Sequence, residues 1–379
     1  MPAGRQKSSG SPDGPRIPVD SRRPAPENPI MSISMGAEFA PQTTYLNTAA
    51  HGVFPVRTAA ALRSAVEDMA AARLDHHALI ERIEEARTSF AAVVGLPVGR
   101  VATGSAVSVH VGMIAQSLPE GTEVLVAESD FSSLVNPFHV RPDLALRQAP
   151  LEGLAEAVRP GTGLVAVSAV QSADGRVADL VGVSSAARAV GARVLVDTTQ
   201  STGWLPMDPA LADYTVCGAY KWLLCPRGTS FLTVPEDGGG LRPTHAGWFA
   251  GENRWETCYG PIDELAGSAR RFDECPPYLP FVGAAASLGL IEEVGPAAIG
   301  EHNKKLAARF RAGAVEAGHR PVAGDSAIVA VPGLGDAVPG LAKAGVDVSA
   351  RAGNLRASFH LFNTTADVDR LLAALAGLR

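Results

Sequence analysis

Two side chains of opposite charge stand at the ends of short apolar runs. Val194-Leu195-Val196 ends on Asp197, and Tyr214-Thr215-Val216-Cys217 leads through Gly218-Ala219 to Lys221. A third run, 230–234, follows a Pro-Arg-Gly turn. β-branched and aromatic runs of this length read as buried strands. Open α/β sheets take ligands beyond the carboxyl ends of such strands, so the carboxylate and the lysine fall where a ligand would sit. Pyridoxal phosphate (PLP) chemistry uses that pair. The lysine carries the cofactor as a Schiff base, and the acid keeps the pyridine nitrogen protonated so that the ring accepts electrons. A lysine against a low-dielectric wall and a positive ring nitrogen loses its preference for the ammonium form, and acts as nucleophile and base. On spacing alone, Asp197 reads equally as a helix N-cap and Lys221 as a snorkelling surface lysine.

The residues around the pair separate these alternatives. Val-Asp-Thr-Thr-Gln-Ser-Thr-Gly (196–203), Ala-Asp-Tyr (212–214) and Gly-Ala-Tyr-Lys-Trp-Leu-Leu-Cys-Pro-Arg-Gly (218–228) resemble the cofactor segment of the class V aminotransferases. These are fold-type I PLP enzymes, and they include cysteine desulfurases, kynureninases and isopenicillin N epimerases. The resemblance spans nearly all of 40–379. It implies Lys221 as the Schiff-base lysine, Asp197 against the pyridinium, Gln200 beside the ring hydroxyl and Tyr220 as a further cofactor neighbour.

The elements that must position these groups follow in chain order. Asn47-Thr48-Ala49-Ala50-His51-Gly52 has small residues before a glycine, which suits backbone passing close to a ligand or an ordinary turn before a helix. The resemblance places Ala50 and His51 at the substrate. Residues 56–72 and 78–93 read as helices, with Asp75-His76-His77 as a solvated turn rather than a metal site. Val101-Ala102-Thr103-Gly104-Ser105-Ala106 reads as strand, turn and helix start, with Ser105 capping a helix over 106–116. Such a start offers free N–H groups and a positive dipole end to an anion, so Ser105 and Ala106 are candidate phosphate contacts. After a strand at 124–127, Phe131 either stacks on the pyridine ring or fills core. Gln171, past a strand at 164–170, faces the same site. A helix at 179–190 leads back to Asp197. This alternation predicts a mostly parallel sheet with helices on both faces.

Beyond 234 the pattern changes. The segments at 245–249 and 270–277 resemble kynureninase-like stretches that reach the phosphate from a neighbouring subunit, and Trp248 there is either an indole N–H donor or core. Many relatives carry Gly-Thr where this chain has Cys275-Pro276. Helices are expected at 281–293, 301–317 and 366–376, and short strands at 327–331, 346–349 and 355–361. Asn354-Leu355-Arg356-Ala357-Ser358 resembles the stretch whose arginine binds the substrate α-carboxylate, a role for which a planar guanidinium fork suits Arg356. The expected organisation is a disordered tail at 1–30, a segment bordering the active site at 31–55, a large PLP-binding domain at 56–245, an interface segment at 246–290 and a small α+β domain at 291–379.

The whole chain sets limits. It has 379 residues, 46% apolar and 19% charged, with net charge −6 and no basic block outside the Pro- and Arg-rich first 30. That composition excludes nucleic acid as an expected partner, and no run reaches the length of a membrane helix. Its four cysteines, Cys217, Cys225, Cys258 and Cys275, form no C-x-x-C pair, so neither zinc nor a redox pair is expected and a cytoplasmic setting fits. A small amino-acid substrate and a homodimer with active sites at the subunit interface are the expected partners.

Desulfurases carry a nucleophilic cysteine on a loop before the carboxylate-binding arginine. Here Arg351-Ala352-Gly353 runs straight into Asn354-Leu355-Arg356, and no cysteine lies past 275. The expected reaction is β-elimination with C–S cleavage, in which Lys221 removes the Cα proton of a cysteine-derived substrate, and pyruvate and ammonia are released. The short loop and the Arg-Arg-Phe-Asp segment resemble the C–S lyase type of ergothioneine biosynthesis. Epimerisation, transamination and kynureninase-like C–C cleavage share the same carbanion and stand as alternatives, as does a catalytically silent scaffold.

Overall fold

The computed structural model describes residues 35–378. The tail expected at 1–30 lies outside the described residues. Strand β1 (Thr44–Tyr45) joins the C-terminal part of the molecule, and the next seven strands build the central sheet. They are β2 (Val101–Gly104), β3 (Glu123–Ala127), β4 (Ala145–Ala149), β5 (Thr162–Ser168), β6 (Arg193–Asp197), β7 (Tyr214–Gly218) and β8 (Ser230–Thr233), in the order β2-β8-β7-β6-β5-β3-β4. From β7 to β4 every pairing is parallel, while β8 runs antiparallel between β7 and β2. This is the mostly parallel α/β sheet of the fold-type I enzymes.

The strands are short and apolar throughout because both faces are covered. Successive side chains of a strand point to opposite faces. Accordingly Val124 and Val126 of β3 join one core with Leu164, Leu195 and Val216, while Leu125 and Ala127 join the other with Val165, Val194 and Val196. The edge strand β4 was not expected from the sequence. Its Ala-Leu-Arg-Gln-Ala pattern is half polar, as an edge strand tolerates, and Arg147 pairs with Glu123 at 2.9 Å.

Helices Val56–Ala70, His76–Val94 and Tyr278–Val294 pack together beside the sheet. Asp75 caps the second of these, its Oδ1 accepting from the N–H groups of His77 and Ala78. The cap draws His76 and His77 into the first helical turn, so the solvated turn expected there is exposed helix. Among the described residues no group of three or more His, Cys, Asp or Glu side chains is placed to hold a metal ion. No single described helix is long and apolar enough to cross a membrane.

The C-terminal part has its own core, in which Leu306, Phe310, Phe359 and Leu371 gather around Leu46. Strand β10 (Val346–Asp347) pairs with β1, and β11 (Ser349–Arg351), β12 (Asn354–Ser358) and β9 (Ile328–Val331) form an antiparallel sheet in the order β11-β12-β9. The single strand expected at 346–349 is therefore two, because the chain leaves β1 after Asp347 and turns to pair with β12. The β11–β12 turn has positive φ at Ala352 (47°) and Gly353 (78°), the two-residue hairpin geometry that keeps strand twist in step.

Candidate active site

Parallel pairing of β6 with β7 sets Asp197 against Val216 and brings the carboxylate and the lysine to one edge of the sheet. Asp197 and Lys221 are 5% and 4% exposed and line one cavity. The loop after β6 is tied down on both sides. Thr199 N–H donates to Asp197 Oδ1 at 2.8 Å, and Gly218 N–H donates to Thr199 Oγ1 at 2.9 Å. The lysine turn is pressed from behind by the N-terminal segment. Gly52 N–H donates to Tyr220 O at 2.9 Å, and a Cβ on Gly52 would lie 2.3 Å from Lys221 O. The glycine expected to let backbone approach a ligand instead lets it approach the lysine turn.

Burial sets the electrostatics. It pushes the Lys221 amine down to about 8, against the pull of Asp197 and helped by Arg356 and Arg227. Burial also raises the Asp197 carboxyl, opposed by its Thr199 hydrogen bonds and by Lys221. A positive ring nitrogen beside Asp197 would restore its ionised form.

Phe131 lines the cavity half open to solvent, its ring centroid 5.2 Å from Lys221 Nζ. It is therefore not a core residue, and it stands where a ring bound at Lys221 would lie beside it. Tyr220 lines the cavity too, with Arg227 Cζ 4.1 Å above its ring. Gln200 also lines it. Its amide donates to Ala49 O at 3.0 Å and Ser172 Oγ at 2.9 Å, and its carbonyl accepts from the Trp222 indole at 2.8 Å. Ala50 and His51, expected at the substrate, follow Ala49 and do not line this cavity. The His51 ring stands 5.9 Å from Tyr220, and its Nδ1 lies 2.6 Å from Gly52 O.

Two expectations need correction. Ser105 does not cap the next helix, which runs Val107–Ser117 with Ala106 at its N-cap and no side-chain cap bond. Ser105 Oγ turns instead to Glu274 Oε2 at 2.7 Å. Gln171 is buried outside the cavity lining, where its amide donates to Asp130 Oδ2 at 3.2 Å. Asp130 also accepts from Ser168 N and Oγ and from Phe131 N, so Gln171 positions Phe131 through Asp130 and is not itself a ring contact. Trp248, whose segment is expected to reach a neighbouring subunit's phosphate, lies outside this subunit's own cavity, stacked on Trp255 at 5.3 Å and edge-on to Phe249.

Arg356 comes from the other part of the molecule. On β12 it is 1% exposed, Nε donates to Ser349 Oγ at 3.1 Å, and Nη1 donates to Ser172 O and Oγ. Ser172 lines the cavity, so Arg356 reaches its wall. Nη2 is buried with no partner. Burial, aided by Arg351, lowers this guanidinium to about 9. An arginine so placed needs an anion. Thr199, Ser172, Asp130 and Arg227 were not singled out from the sequence; Arg227 alone carried a signal, a cation in the turn just past the lysine.

A family model of class-V aminotransferases matches residues 44–332. An uncharacterized aminotransferase of Bacillus subtilis is 28% identical over 242 residues, covering 60% of this chain and 64% of that protein's length. An isopenicillin N epimerase of Amycolatopsis lactamdurans is 28% identical over 344 residues, covering 77% of this chain and 84% of that one. Among solved structures, a cystine C–S lyase in complex with cysteine persulfide superposes with a TM-score of 0.80 at 22% identity, covering 88% of this chain and 97% of that one.

Proposed function

Because the chain belongs to the class-V aminotransferase family, whose cofactor is PLP, we propose that it is a lyase cleaving the C–S bond of a cysteine-derived or S-conjugated amino acid. The residues present fit the cofactor. Asp197 and Lys221 face one cavity, Thr229 in its lining has a buried Oγ1 without a partner, and Arg356 is tied to the lining through Ser172. Lys221 would hold the cofactor, Asp197 would face its ring nitrogen and Phe131 its ring. When bound, the cofactor supplies an electron sink for charge developing at the substrate Cα.

The protein's own part is to bind and to move one proton. Arg356 takes the substrate carboxylate with the unpartnered Nη2, which orients Cα toward Lys221. Lys221, depressed to about 8 by burial, removes the Cα proton as a neutral amine. Loss of the Cβ sulfur substituent leaves an enamine that hydrolyses to pyruvate and ammonia.

One observation carries the choice of elimination. Of the titratable side chains lining the cavity, Lys221 alone is a base suited to neutral pH, since Asp197 is committed to the ring, Arg227 is a permanent cation and the Tyr220 phenol is raised by burial. A thiolate leaves without a proton donor, because thiols ionise near pH 8.5. Epimerisation needs a proton delivered to the opposite face, which in this lining only the Tyr220 phenol, kept protonated by burial, could supply. The likeness to isopenicillin N epimerase keeps epimerisation as the second reading. No cysteine lines the cavity, and Cys217, whose thiol is pushed up to about 12 by burial, is unsuited to persulfide chemistry. The β11–β12 turn leaves no room for a cysteine-bearing loop.

Incubation with S-substituted cysteines in deuterium oxide distinguishes the readings. Stoichiometric pyruvate and thiol support elimination; inverted, Cα-deuterated amino acid without pyruvate would replace it by epimerisation. We further propose a cytoplasmic homodimer, supported by the exposed Trp255 and Tyr259 in 246–290 and by four unpaired thiols. A monomer by light scattering would remove the dimer.

A further inference from the structure

The end of the cavity that must take the cofactor's phosphate lacks the side-chain donor that the sequence put there. Ser105 gives its hydroxyl to Glu274 Oε2 at 2.7 Å and its N–H to Oε1 at 3.4 Å. Ala106 has no hydroxyl, and a carboxylate here opposes a second anion. The same segment is anchored by Asp273, which accepts from Thr103 N–H at 2.8 Å. The Ser105–Glu274 contact therefore belongs to a latch that fastens 273–274 along β2.

Beside Ser105 one group has the opposite problem. Antiparallel register sets Ser230 against both Gly104 of β2 and Gly218 of β7. Thr229 consequently sits between the turn that starts helix Val107–Ser117 and the turn that carries Lys221, where its carbonyl accepts from Ala219 N–H at 3.0 Å. Thr229 is 1% exposed and lines the cavity, and its Oγ1 has no hydrogen-bond partner. Buried hydroxyls are mostly satisfied by protein, water or ligand, and of the unpartnered buried hydroxyls among the described residues this one lines the cavity. Arg227, two residues earlier, lines the same cavity. It is the cation left for a phosphate once Lys221 is bonded to the cofactor.

We propose that Thr229 Oγ1 and Arg227 hold the cofactor's phosphate, together with the free N–H groups at the start of helix Val107–Ser117, while Ser105 stays on its latch. The helix start contributes the partial positive charge that such sites lend to phosphates, Thr229 one directed donor and Arg227 the full charge. This rests on the PLP reading above and assigns the discrimination between PLP and its unphosphorylated form to two residues after the lysine.

The test is to titrate cofactor-free enzyme with PLP and, separately, with pyridoxal, following absorbance of the lysine-bound aldehyde. Thr229→Val should weaken PLP binding by about tenfold to a hundredfold, the range for a hydrogen bond to a charged group, and leave pyridoxal binding unchanged. Thr229→Ser should restore PLP binding. Arg227→Gln should also weaken PLP selectively, and raising salt should narrow its difference from wild type. Ser105→Ala should leave the PLP-to-pyridoxal ratio as it is. Equal losses for both aldehydes in Thr229→Val would show a wall residue and overturn the proposal, as would a ratio that collapses only in Ser105→Ala. Uptake of neither aldehyde by wild type would overturn the PLP reading itself.

Discussion

Arg87 and Arg356 are equally inaccessible, at 2% and 1% exposed, yet their surroundings are opposite. Arg87 bonds to both oxygens of Asp273, at 3.0 and 2.6 Å, to Val101 O at 2.8 Å and to Glu84 at 2.9 Å. Burial works against this charge, but Asp273 and Glu84 overcome it and hold the guanidinium above its ordinary value. Arg356 has hydroxyl and carbonyl partners only, one buried nitrogen with none, and a guanidinium lowered to about 9. A buried charge with all its partners holds structure together, whereas one without a counter-ion costs the folded state. The first fastens helix His76–Val94 to β2 and the 269–277 segment; the second, with Lys221 and Asp197, defines a place where ligands must supply what the fold withholds.

The contrast breaks most severely at Lys221. Lys221→Ala should lower turnover by about 10⁴-fold, the upper range for a positioned acid–base group, and remove the absorbance of lysine-bound cofactor. An unchanged spectrum would move the attachment point elsewhere. Asp197→Asn should still bind cofactor but turn over roughly a hundredfold more slowly, as expected for losing one preorganised electrostatic contact. Near-wild-type turnover would remove Asp197 from the electron-sink role.

A smaller effect is expected at Arg356 itself. Arg356→Lys keeps charge and loses the fork, so kcat/KM should fall roughly tenfold to a hundredfold. Most of that should appear in KM, because the carboxylate is held in ground and transition states alike. Loss of PLP with an unchanged KM would assign the arginine to the cofactor.

The pH dependence of Lys221 sharpens the contrast without mutation. Its folded value, about 8, lies below that of a free lysine. Cofactor uptake by the cofactor-free enzyme should therefore rise with pH and level off above about 8, falling about tenfold for each unit below. Between about 8 and the ordinary lysine value the unfolded chain binds the extra proton, so this group's contribution makes stability rise with pH there. Uptake that goes on rising about tenfold per unit from pH 8 to 10 would show an unperturbed lysine.

Asp197, Lys221 and the parallel sheet were legible because buried parallel strands are written as apolar runs and the cofactor residues follow them in local motifs. Arg356 was legible through its own local stretch, but its missing counter-ion was not, since that depends on β12 meeting the Ser172 loop across 184 residues. Ser105 was misread for a related reason. A strand, turn and helix start looks the same whether or not Glu274, 169 residues later, claims the hydroxyl. Asp130, Gln171 and Thr199 act through hydrogen bonds between neighbouring strand ends, which no spacing rule reports.

The difference between the two arginines is tested most directly by denaturant unfolding of the cofactor-free protein carrying Arg87→Met or Arg356→Met. Removing Arg87 strands the Asp273 carboxylate and should cost about 3–5 kcal/mol. Removing Arg356 relieves an uncompensated buried charge, so that variant should unfold at the wild-type denaturant concentration or above it, while losing its response to substrate carboxylate. If Arg356→Met were destabilised as much as Arg87→Met, Arg356 would be part of the scaffold. The account of a site built from charges left without partners would then be contradicted.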